Sequence, residues 1–226
     1  MRSNSTYIIT IDGTSGSGKT TLSKSLSKKL GFSLLDSGKL YRSAGFIYIQ
    51  SKESFSDSDK IKGVISKITM TSNIDSNEFE IFFHNKKIDH LLYSEEVSES
   101  ASIVSKIPEV RECMMEIQKL CVKGKGLIAN GRDMGTEVFP EANLKLFVNA
   151  SLDIRAKRRY EELISKGENV NLENIYKSLQ KRDESDTNRS ISPLRVPDNA
   201  QIIDTSDLKP DAIVDKILNL YTITKN

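Results

Sequence analysis

Residues 13–20 of the chain have the sequence Gly13-Thr14-Ser15-Gly16-Ser17-Gly18-Lys19-Thr20. A β-branched segment precedes this stretch at residues 7–12, and leucines at helical spacing follow it at Leu22, Leu26 and Leu30. The stretch fits G-x-x-x-x-G-K-[S/T] between a strand and a helix, which is the context that this phosphate-binding loop, the P-loop, requires. The backbone N–H groups of such a loop and the positive end of the following helix attract phosphate oxygens. The stretch therefore predicts binding of a nucleoside triphosphate.

Two side chains of this loop carry the predicted chemistry. Lys19 is expected to place its ammonium at the bridge between the β- and γ-phosphates, and the Thr20 hydroxyl is expected to ligate magnesium. We therefore predict ATP as the phosphoryl donor and Mg2+ as the metal, with Thr20 as its protein ligand. The predicted donor-binding residues are Gly13, Thr14, Ser15, Gly16, Ser17, Gly18, Lys19, Thr20 and Thr21.

A P-loop also occurs in GTPase switches, which form an alternative class. Those proteins use a D-x-x-G element to sense the γ-phosphate and an N-K-x-D element to recognise guanine. No aspartate of this chain has a glycine three residues later, and Asn85-Lys86-Lys87-Ile88 lacks the final aspartate. The switch interpretation is therefore disfavoured, and a kinase that needs an acceptor is favoured.

Apolar segments of the rest of the chain alternate between strand and helix patterns. Short strands are predicted at residues 32–35, 127–129, 144–148 and 201–203, in addition to residues 7–12. Helices are predicted from apolar spacing at residues 19–30, 110–121, 152–163, 172–179 and 213–220. This alternation predicts an α/β fold with a parallel sheet of about five strands, covered by helices on both faces.

The middle of the chain has a different pattern. Residues 51–60 are rich in serine and aspartate, which predicts a loop. Residues 68–88 contain strand-like pieces with a turn at Asn85-Lys86, and a helix is predicted after Ser94. We therefore predict an acceptor-binding insertion at 51–107 on a core of 1–50 and 108–226. A short lid is predicted near residues 155–171.

The overall composition indicates a globular protein rather than a polyanion-binding one. The chain has 226 residues, of which 37% are hydrophobic and 28% are charged, and its formal net charge is +2. This small charge predicts no nucleic-acid partner. We find no apolar run of the length that a signal peptide or a bilayer span needs, so we expect a cytoplasmic protein without a membrane partner. We also expect a monomer.

Arginines are clustered after the predicted strands and near the end of one helix. Carboxyl ends of parallel strands are where open sheets bind ligands. Bringing a phosphorylated acceptor to a triphosphate requires several cations, because the two polyanions repel each other. The clusters therefore predict a second, phosphate-bearing substrate. The arginines are Arg42, Arg132, Arg155, Arg158, Arg159, Arg182 and Arg189.

Six blocks of the chain, in the same order, resemble those of bacterial cytidylate kinases. They are the P-loop, Leu35-Asp36-Ser37-Gly38 with Tyr41-Arg42, Gly131-Arg132-Asp133-Met134-Gly135-Thr136, the run from Arg182 to Arg189, Ser192-Pro193-Leu194, and Ile203-Asp204-Thr205-Ser206. The resemblance covers almost the whole chain, and the middle insertion matches an enlarged monophosphate-binding region of this family. It implies a P-loop nucleoside monophosphate kinase-like fold and transfer of a phosphoryl group from ATP to CMP or dCMP.

The resemblance also implies roles for individual residues. Ser37, Arg42 and Arg132 would bind the acceptor phosphate, and Arg182 and Asp186 would meet the ribose hydroxyls. Ser102, Arg111, Asp133 and Arg189 would surround the cytosine, and Tyr41 belongs to the same substrate-binding set. Cytosine presents one donor and two acceptors, so a set with both carboxylate and guanidinium groups suits it. The predicted catalytic residues are Lys19, Arg132, Arg155, Arg158 and Arg159.

Two positions depart from the family pattern. Asn130 stands where aspartate is usual before Gly-Arg-Asp, which predicts weaker magnesium binding. Thr14 stands where proline is common, which we expect to change only the stiffness of the loop. Other P-loop small-molecule kinases, for UMP, dTMP or shikimate, remain the alternatives within the enzyme class.

Overall fold

The computed structural model describes residues 6–206 and 210–225. In chain order, its strands are β1 (Tyr7–Gly13), β2 (Ser33–Asp36), β3 (Ile68–Ser72), β4 (Phe79–Phe83), β5 (Lys86–Lys87), β6 (Gly126–Asn130), β7 (Leu144–Asn149) and β8 (Gln201–Asp204). The α-helices are α1 (Lys19–Leu30), α2 (Ser37–Gln50), α3 (Ser58–Ile65), α4 (Glu95–Val104), α5 (Pro108–Lys119), α6 (Leu152–Ser165), α7 (Leu172–Asn188) and α8 (Pro210–Lys225).

Five of the strands form one sheet, in the order β2-β6-β1-β7-β8. β1 pairs in parallel with β7, and β7 pairs in parallel with β8. The predicted α/β fold with a five-stranded parallel sheet is therefore confirmed. The predicted strand and helix segments of the core differ from the observed ones only at their ends.

By their internal contacts, the described residues divide into two units. The first unit contains residues 6–8 and 27–129, and the second contains residues 9–26, 130–206 and 210–225. The predicted insertion, residues 51–107, lies within the first unit. Its boundaries as a domain remain a prediction.

The first unit has a core of its own. β3, β4 and β5 form the predicted small antiparallel sheet, and aliphatic side chains of α2, α3, α4 and α5 pack together with it. Gly45 lets α2 approach α4 closely, since a Cβ atom there would lie 2.5 Å from the backbone nitrogen of Ala101. The helix predicted after Ser94 is confirmed as α4, with the Ser94 hydroxyl accepting a hydrogen bond from the N–H of Val97.

One local prediction is wrong. Residues 51–60 do not form a simple loop, because a 3₁₀ helix spans Lys52–Phe55 and α3 begins at Ser58. The carboxylate of Asp57 caps α3 by accepting a hydrogen bond from the N–H of Lys60, at 2.9 Å. Ile61 and Ile65 lie one turn apart on α3 and are buried. Serine and aspartate favour helix caps as well as loops, so composition alone misled this prediction.

None of the helices described in residues 6–206 and 210–225 is long and apolar enough to cross a membrane.

Candidate active site

The P-loop of the second unit connects β1 to α1 and is held by the neighbouring strand. Gly13 has a φ of +143°, and a Cβ atom there would lie only 1.8 Å from the carbonyl oxygen of Val148 on β7. The Thr14 hydroxyl donates to Oδ1 of Asn149, the last residue of β7, at 2.9 Å. Glycine is thus required at residue 13, and Asn149 anchors the start of the loop.

Thr205, just after β8, anchors the middle of the loop. Its hydroxyl donates to the carbonyl oxygen of Ser17 at 3.0 Å, and its N–H donates to the carbonyl oxygen of Asn149 at 2.8 Å. Arg158 on α6 holds Thr205 in turn, because its Nη2 donates to the Thr205 carbonyl oxygen at 2.6 Å. The Arg158 guanidinium therefore stabilises the loop indirectly, through its hydrogen bond to Thr205.

Lys19 is buried within the P-loop. Its Nζ donates to the carbonyl oxygen of Thr14 at 2.5 Å and lies 3.4 Å from the Ser17 hydroxyl. Burial, together with the positive charge of Arg132, lowers the pKa of Lys19 well below its ordinary value. An anionic ligand at this loop would favour the charged form of Lys19 and raise its pKa. The ammonium is therefore placed to attract phosphate.

A second set of predicted residues comes together around Asp186, near the C-terminal end of α7. Nε of Arg132 donates to Oδ2 of Asp186 at 2.8 Å. Burial opposes ionisation of Asp186, but the charge and hydrogen bond of Arg132, with the charges of Arg182 and Arg189, hold its pKa below the usual value. The structure thus groups four of the residues predicted to bind the acceptor in one charged network.

Asp133 and Arg189 form a buried pair in the same unit. The Arg189 Nη2 lies 3.6 Å from Oδ2 of Asp133, and the two side chains are 8% and 4% exposed. The Arg189 Nε also donates to the carbonyl oxygen of Ser192. A carboxylate and a guanidinium held together in this way could recognise a base edge that has both donors and acceptors.

The three arginines of α6 have different surroundings. Arg155 is 5% exposed, and its guanidinium contacts Asp183 and two backbone carbonyl oxygens. Arg158 contacts Thr205, whereas Arg159 pairs with Glu162 on the protein surface, at 2.8 Å. Their predicted catalytic role stays a prediction, as does the lid near residues 155–171.

Asp12, the residue before Gly13, has a part that the sequence analysis missed. Its two carboxylate oxygens accept hydrogen bonds from the N–H groups of Met134 and Gly135, at 2.8 and 2.7 Å. The segment that follows Arg132 and Asp133 is therefore tied to the end of β1. The available signal was an acidic residue at the end of an otherwise apolar strand, which needs a partner when it is buried.

The pKa of Asp12 leads to a prediction about stability. Burial raises this pKa from 3.8 to about 6, against the opposing hydrogen bonds from Gly135 and Met134. A raised folded-state pKa means that folding takes up a proton between these two values, so this group's contribution to stability falls as pH rises from about 4 to about 6.

We expect the free energy of unfolding of the wild type, minus that of Asp12→Asn, to decrease over this pH window. Urea denaturation at several pH values would measure the difference. Parallel pH profiles for the two proteins would contradict the prediction.

The described residues near Thr20 fit a magnesium ion. Asn130, at the end of β6, donates from Nδ2 to the Thr20 hydroxyl oxygen at 3.3 Å. Its Oδ1 is buried and has no hydrogen-bond partner within the described part of the chain. A threonine hydroxyl and a neighbouring amide oxygen are the hard oxygen groups that suit Mg2+ and its bound water.

Within the first unit, Arg111 lies beside Tyr41, and both residues are among those predicted to bind the substrate. The Arg111 guanidinium lies over the ring of Tyr41, 5.5 Å from its centroid, and the Arg111 side chain is buried. Nη1 of Arg111 donates to the carbonyl oxygen of Ser105 at 3.3 Å, and the Ser105 hydroxyl donates to the carbonyl oxygen of Ser102. α2, α4 and α5 thus position one cation beside one aromatic ring.

Ser37 and Arg42 lie in the first two turns of α2. The carboxylate of Asp36 caps this helix by accepting from the N–H of Lys39, at 3.2 Å, and Ser37 is buried at the first position of the helix. The Arg42 guanidinium lies 6.0 Å from the ring centroid of Tyr93. A helix N-terminus and a nearby arginine together suit a phosphate group.

The chain is similar over most of its length to proteins of one family. Residues 9–223 match the family model described as "Cytidylate kinase". The chain is 38% identical to the cytidylate kinase of Carboxydothermus hydrogenoformans over 94% of this chain and 96% of that protein. It is also 38% identical to cytidylate kinase 1 of Haemophilus influenzae, over 93% of this chain and 91% of that protein.

Among solved structures, the shikimate kinase of Bacteroides thetaiotaomicron is 14% identical to this chain, with a TM-score of 0.49. The alignment covers 96% of this chain and 98% of the other.

Proposed function

The chain belongs to the cytidylate kinase family, and on this premise we propose that it transfers the γ-phosphoryl group of ATP to CMP and dCMP, giving ADP with CDP or dCDP. The observation that carries the proposal is the position of Lys19. This lysine lies in a glycine-rich loop, and it is close enough to Arg132, Arg182 and Asp186 for their charges to affect its pKa. A donor-binding cation is thus found among the residues expected to bind a phosphorylated acceptor.

The proposed reaction is a direct in-line transfer. An oxygen of the CMP phosphate attacks the γ-phosphorus, the bond from that phosphorus to the β-γ bridging oxygen breaks, and ADP leaves with the electron pair of that bond. Lys19 and Arg132 would stabilise the charge on the transferred group, with Arg158 and Arg159 acting from the predicted lid. Such stabilisation is effective because the donors are fixed before the reaction.

Magnesium, when bound, would neutralise charge on the donor phosphates and orient them. Thr20 and Asn130 are the residues that would hold it, with Asn130 acting on its bound water. An amide brings no net charge, so we infer that this enzyme holds magnesium less tightly than a variant with a carboxylate at the same position.

Asn130→Asp is expected to lower the half-saturating magnesium concentration about tenfold, which corresponds to about 1.4 kcal/mol. The gross attraction of a second charge would be larger, but desolvation of the carboxylate offsets most of it. Initial rates at fixed ATP and CMP, and calorimetric titration of Mg2+ into the ADP complex, would both measure the shift. Asn174→Asp, at an exposed site on α7, is the matched control. Superimposable curves for Asn130→Asp and wild type would contradict the prediction.

We propose that Ser102, Arg111, Asp133 and Arg189 select the base. Ser37, Arg42 and Arg132 would bind the acceptor phosphate, and Arg182 and Asp186 the ribose. The stacking of Arg111 on Tyr41 supports this proposal, since it fixes a hydrogen-bond donor in a buried place. Guanidinium groups held in this way discriminate between bases that differ in their acceptors.

Arg111→Met is expected to reduce the ratio of kcat/KM for CMP over UMP by about tenfold. Methionine keeps the length and the apolar contacts of the side chain but removes its donors, and one hydrogen bond to a charged group is worth about 1.5–3 kcal/mol. Arg195→Met is the control, because Arg195 is exposed and pairs only with Glu137 in the described contacts. An unchanged ratio in Arg111→Met would remove Arg111 from base recognition.

The function itself is tested by acceptor specificity. The purified protein with ATP and Mg2+ should form ADP rapidly with CMP and dCMP, and at least about tenfold more slowly with UMP, dTMP or shikimate. Chromatography should identify CDP and dCDP as the products. Preferred phosphorylation of another acceptor, or GTP hydrolysis without an acceptor, would overturn the proposal.

We also propose that the enzyme acts as a monomer in the cytoplasm. Its proposed substrates are multiply charged nucleotides, which do not cross a bilayer unaided. Size-exclusion chromatography with light scattering would test the monomeric state.

A further inference from the structure

Two successive peptide groups of the P-loop are held by one ion pair, of which Arg155 is buried and Asp183 is partly buried. The N–H of Ser15 donates to Oδ1 of Asp183 at 3.3 Å, and the carbonyl oxygen of Ser15 accepts from Nη1 of Arg155 at 2.9 Å. The same Nη1 lies 2.7 Å from Oδ2 of Asp183. Arg155 from α6 and Asp183 from α7 therefore both bind the backbone of Ser15.

Arg155 also connects this ion pair to the end of β7. Its Nε donates to the carbonyl oxygen of Ala150, the residue after β7, at 2.9 Å. The stem of Arg155 packs under the loop, since a Cβ atom added at Gly16 would lie 3.4 Å from the Arg155 Cβ. With a side chain only 5% exposed, Arg155 has all of these contacts in the interior.

The charge of the pair suits a place beside a phosphate-binding loop. An unpaired carboxylate next to this loop would repel a triphosphate, but Arg155 neutralises Asp183 at 2.7 Å. Charge-assisted hydrogen bonds of this kind are stronger than neutral ones, so they can hold the Ser15 peptides in one orientation. The N–H groups that follow Ser15 would then be oriented before the nucleotide arrives, which lowers the entropic cost of binding.

We propose that Asp183 and Arg155 are positioning residues for the phosphoryl donor, and that together they set the conformation of the P-loop at Ser15. The proposal rests on the proposed function only in taking ATP as the donor. It gives Arg155 an indirect role through the loop in place of contact with the transferred phosphoryl group. It also gives α7, which carries Arg182 and Asp186, a direct connection to the donor loop.

The first test measures donor binding without turnover. Calorimetric titration with β,γ-imido-ATP and Mg2+ is expected to give a Kd about tenfold higher for Asp183→Asn than for wild type. The Kd for CMP alone should stay within about twofold, since the altered contact is on the donor loop. Glu173→Gln is the matched control, because Glu173 forms an exposed pair with Lys177 on the same helix. An Asp183→Asn protein that binds the analogue as tightly as wild type would overturn the proposal.

A second pair of measurements separates positioning from general destabilisation. Arg155→Lys keeps the positive charge, but one ammonium cannot maintain the forked contacts of the guanidinium, so it should weaken binding of the analogue in the same way. Combining Arg155→Lys with Asp183→Asn should raise the Kd for the analogue no more than the worse single change does, because both changes disrupt the same ion pair at Ser15. Independent, additive losses would overturn the joint role.

Hydrogen exchange supplies a readout on the loop itself. Peptides that contain residues 14–16 should exchange faster in Asp183→Asn without nucleotide, whereas peptides from β7 should match wild type. Equal exchange in the loop would overturn the proposal even if binding changed. The wild-type protein is titrated and assayed first, and its failure to bind the analogue or to phosphorylate CMP would refute the proposed function. If the wild type is active but the variants bind the analogue as tightly as it does, only the positioning role of Arg155 and Asp183 is refuted.

Discussion

Lys19→Ala is expected to lower kcat for CMP phosphorylation by at least roughly 100–1000-fold, the range found when one preorganised group at developing charge is removed. The ammonium of Lys19 is already inside the P-loop, bound to the carbonyl oxygen of Thr14. Burial and Arg132 lower its pKa, so a bound triphosphate would be the partner that favours its charge. Alanine removes the charge and leaves the loop glycines in place.

The loss should appear in turnover more than in folding. Alanine suits the first position of α1, so circular dichroism and the thermal midpoint should stay close to those of wild type. Lys28→Ala is the matched control, because Lys28 is an exposed lysine in the last turn of the same helix. Activity of Lys19→Ala within tenfold of wild type would contradict the assignment of this loop as the donor site.

Asp186→Ala is expected to raise the KM for CMP roughly 10–100-fold, while the KM for ATP changes about two- to threefold. Asp186 holds Arg132 by a 2.8 Å hydrogen bond, and both side chains are largely buried, at 17% and 20% exposure. Its removal takes a charged partner from the proposed ribose site and frees the arginine proposed for the acceptor phosphate. Loss of one hydrogen bond to a charged group costs about 1.5–3 kcal/mol, which gives this range.

Steady-state kinetics with each substrate varied in turn would measure the two effects. Glu184→Ala is the control, since Glu184 is exposed on the same helix and contacts Gln180. Asp186→Asn, which keeps the shape, should fall between wild type and Asp186→Ala. A KM for CMP that does not change in Asp186→Ala would reject a role for this residue in acceptor binding.

Local sequence patterns were sufficient to predict a phosphate-binding loop and the outline of the sheet. Gly13, Lys19 and Thr20 are constrained by the backbone and charge that a phosphate loop needs, so their spacing alone identifies them. The helix after the loop ends at Leu30, where Gly31 takes a φ of +65° that suits glycine. Patterns of this kind depend on residues that are near each other in the chain.

The prediction for residues 51–60 failed for a related reason. The same Ser- and Asp-rich composition occurs in loops and at the caps of short helices, and Ile61 and Ile65 become decisive only when the core of the first unit can bury them. A short helix in water is marginal, so its formation depends on packing that the local sequence does not display.

The sequence by itself determined the class of fold, and it predicted a triphosphate loop and a set of phosphate-binding arginines, because each follows from local spacing and charge. Only the tertiary structure decided what those arginines contact. Arg155 and Asp183 are 28 residues apart, and both are far in the chain from Ser15, yet they meet at this one residue of the loop. Asp12 and Gly135 also meet, although they are 123 residues apart. Such partners are selected by how strands and helices pack, and a buried charge is stable only where packing brings it a partner.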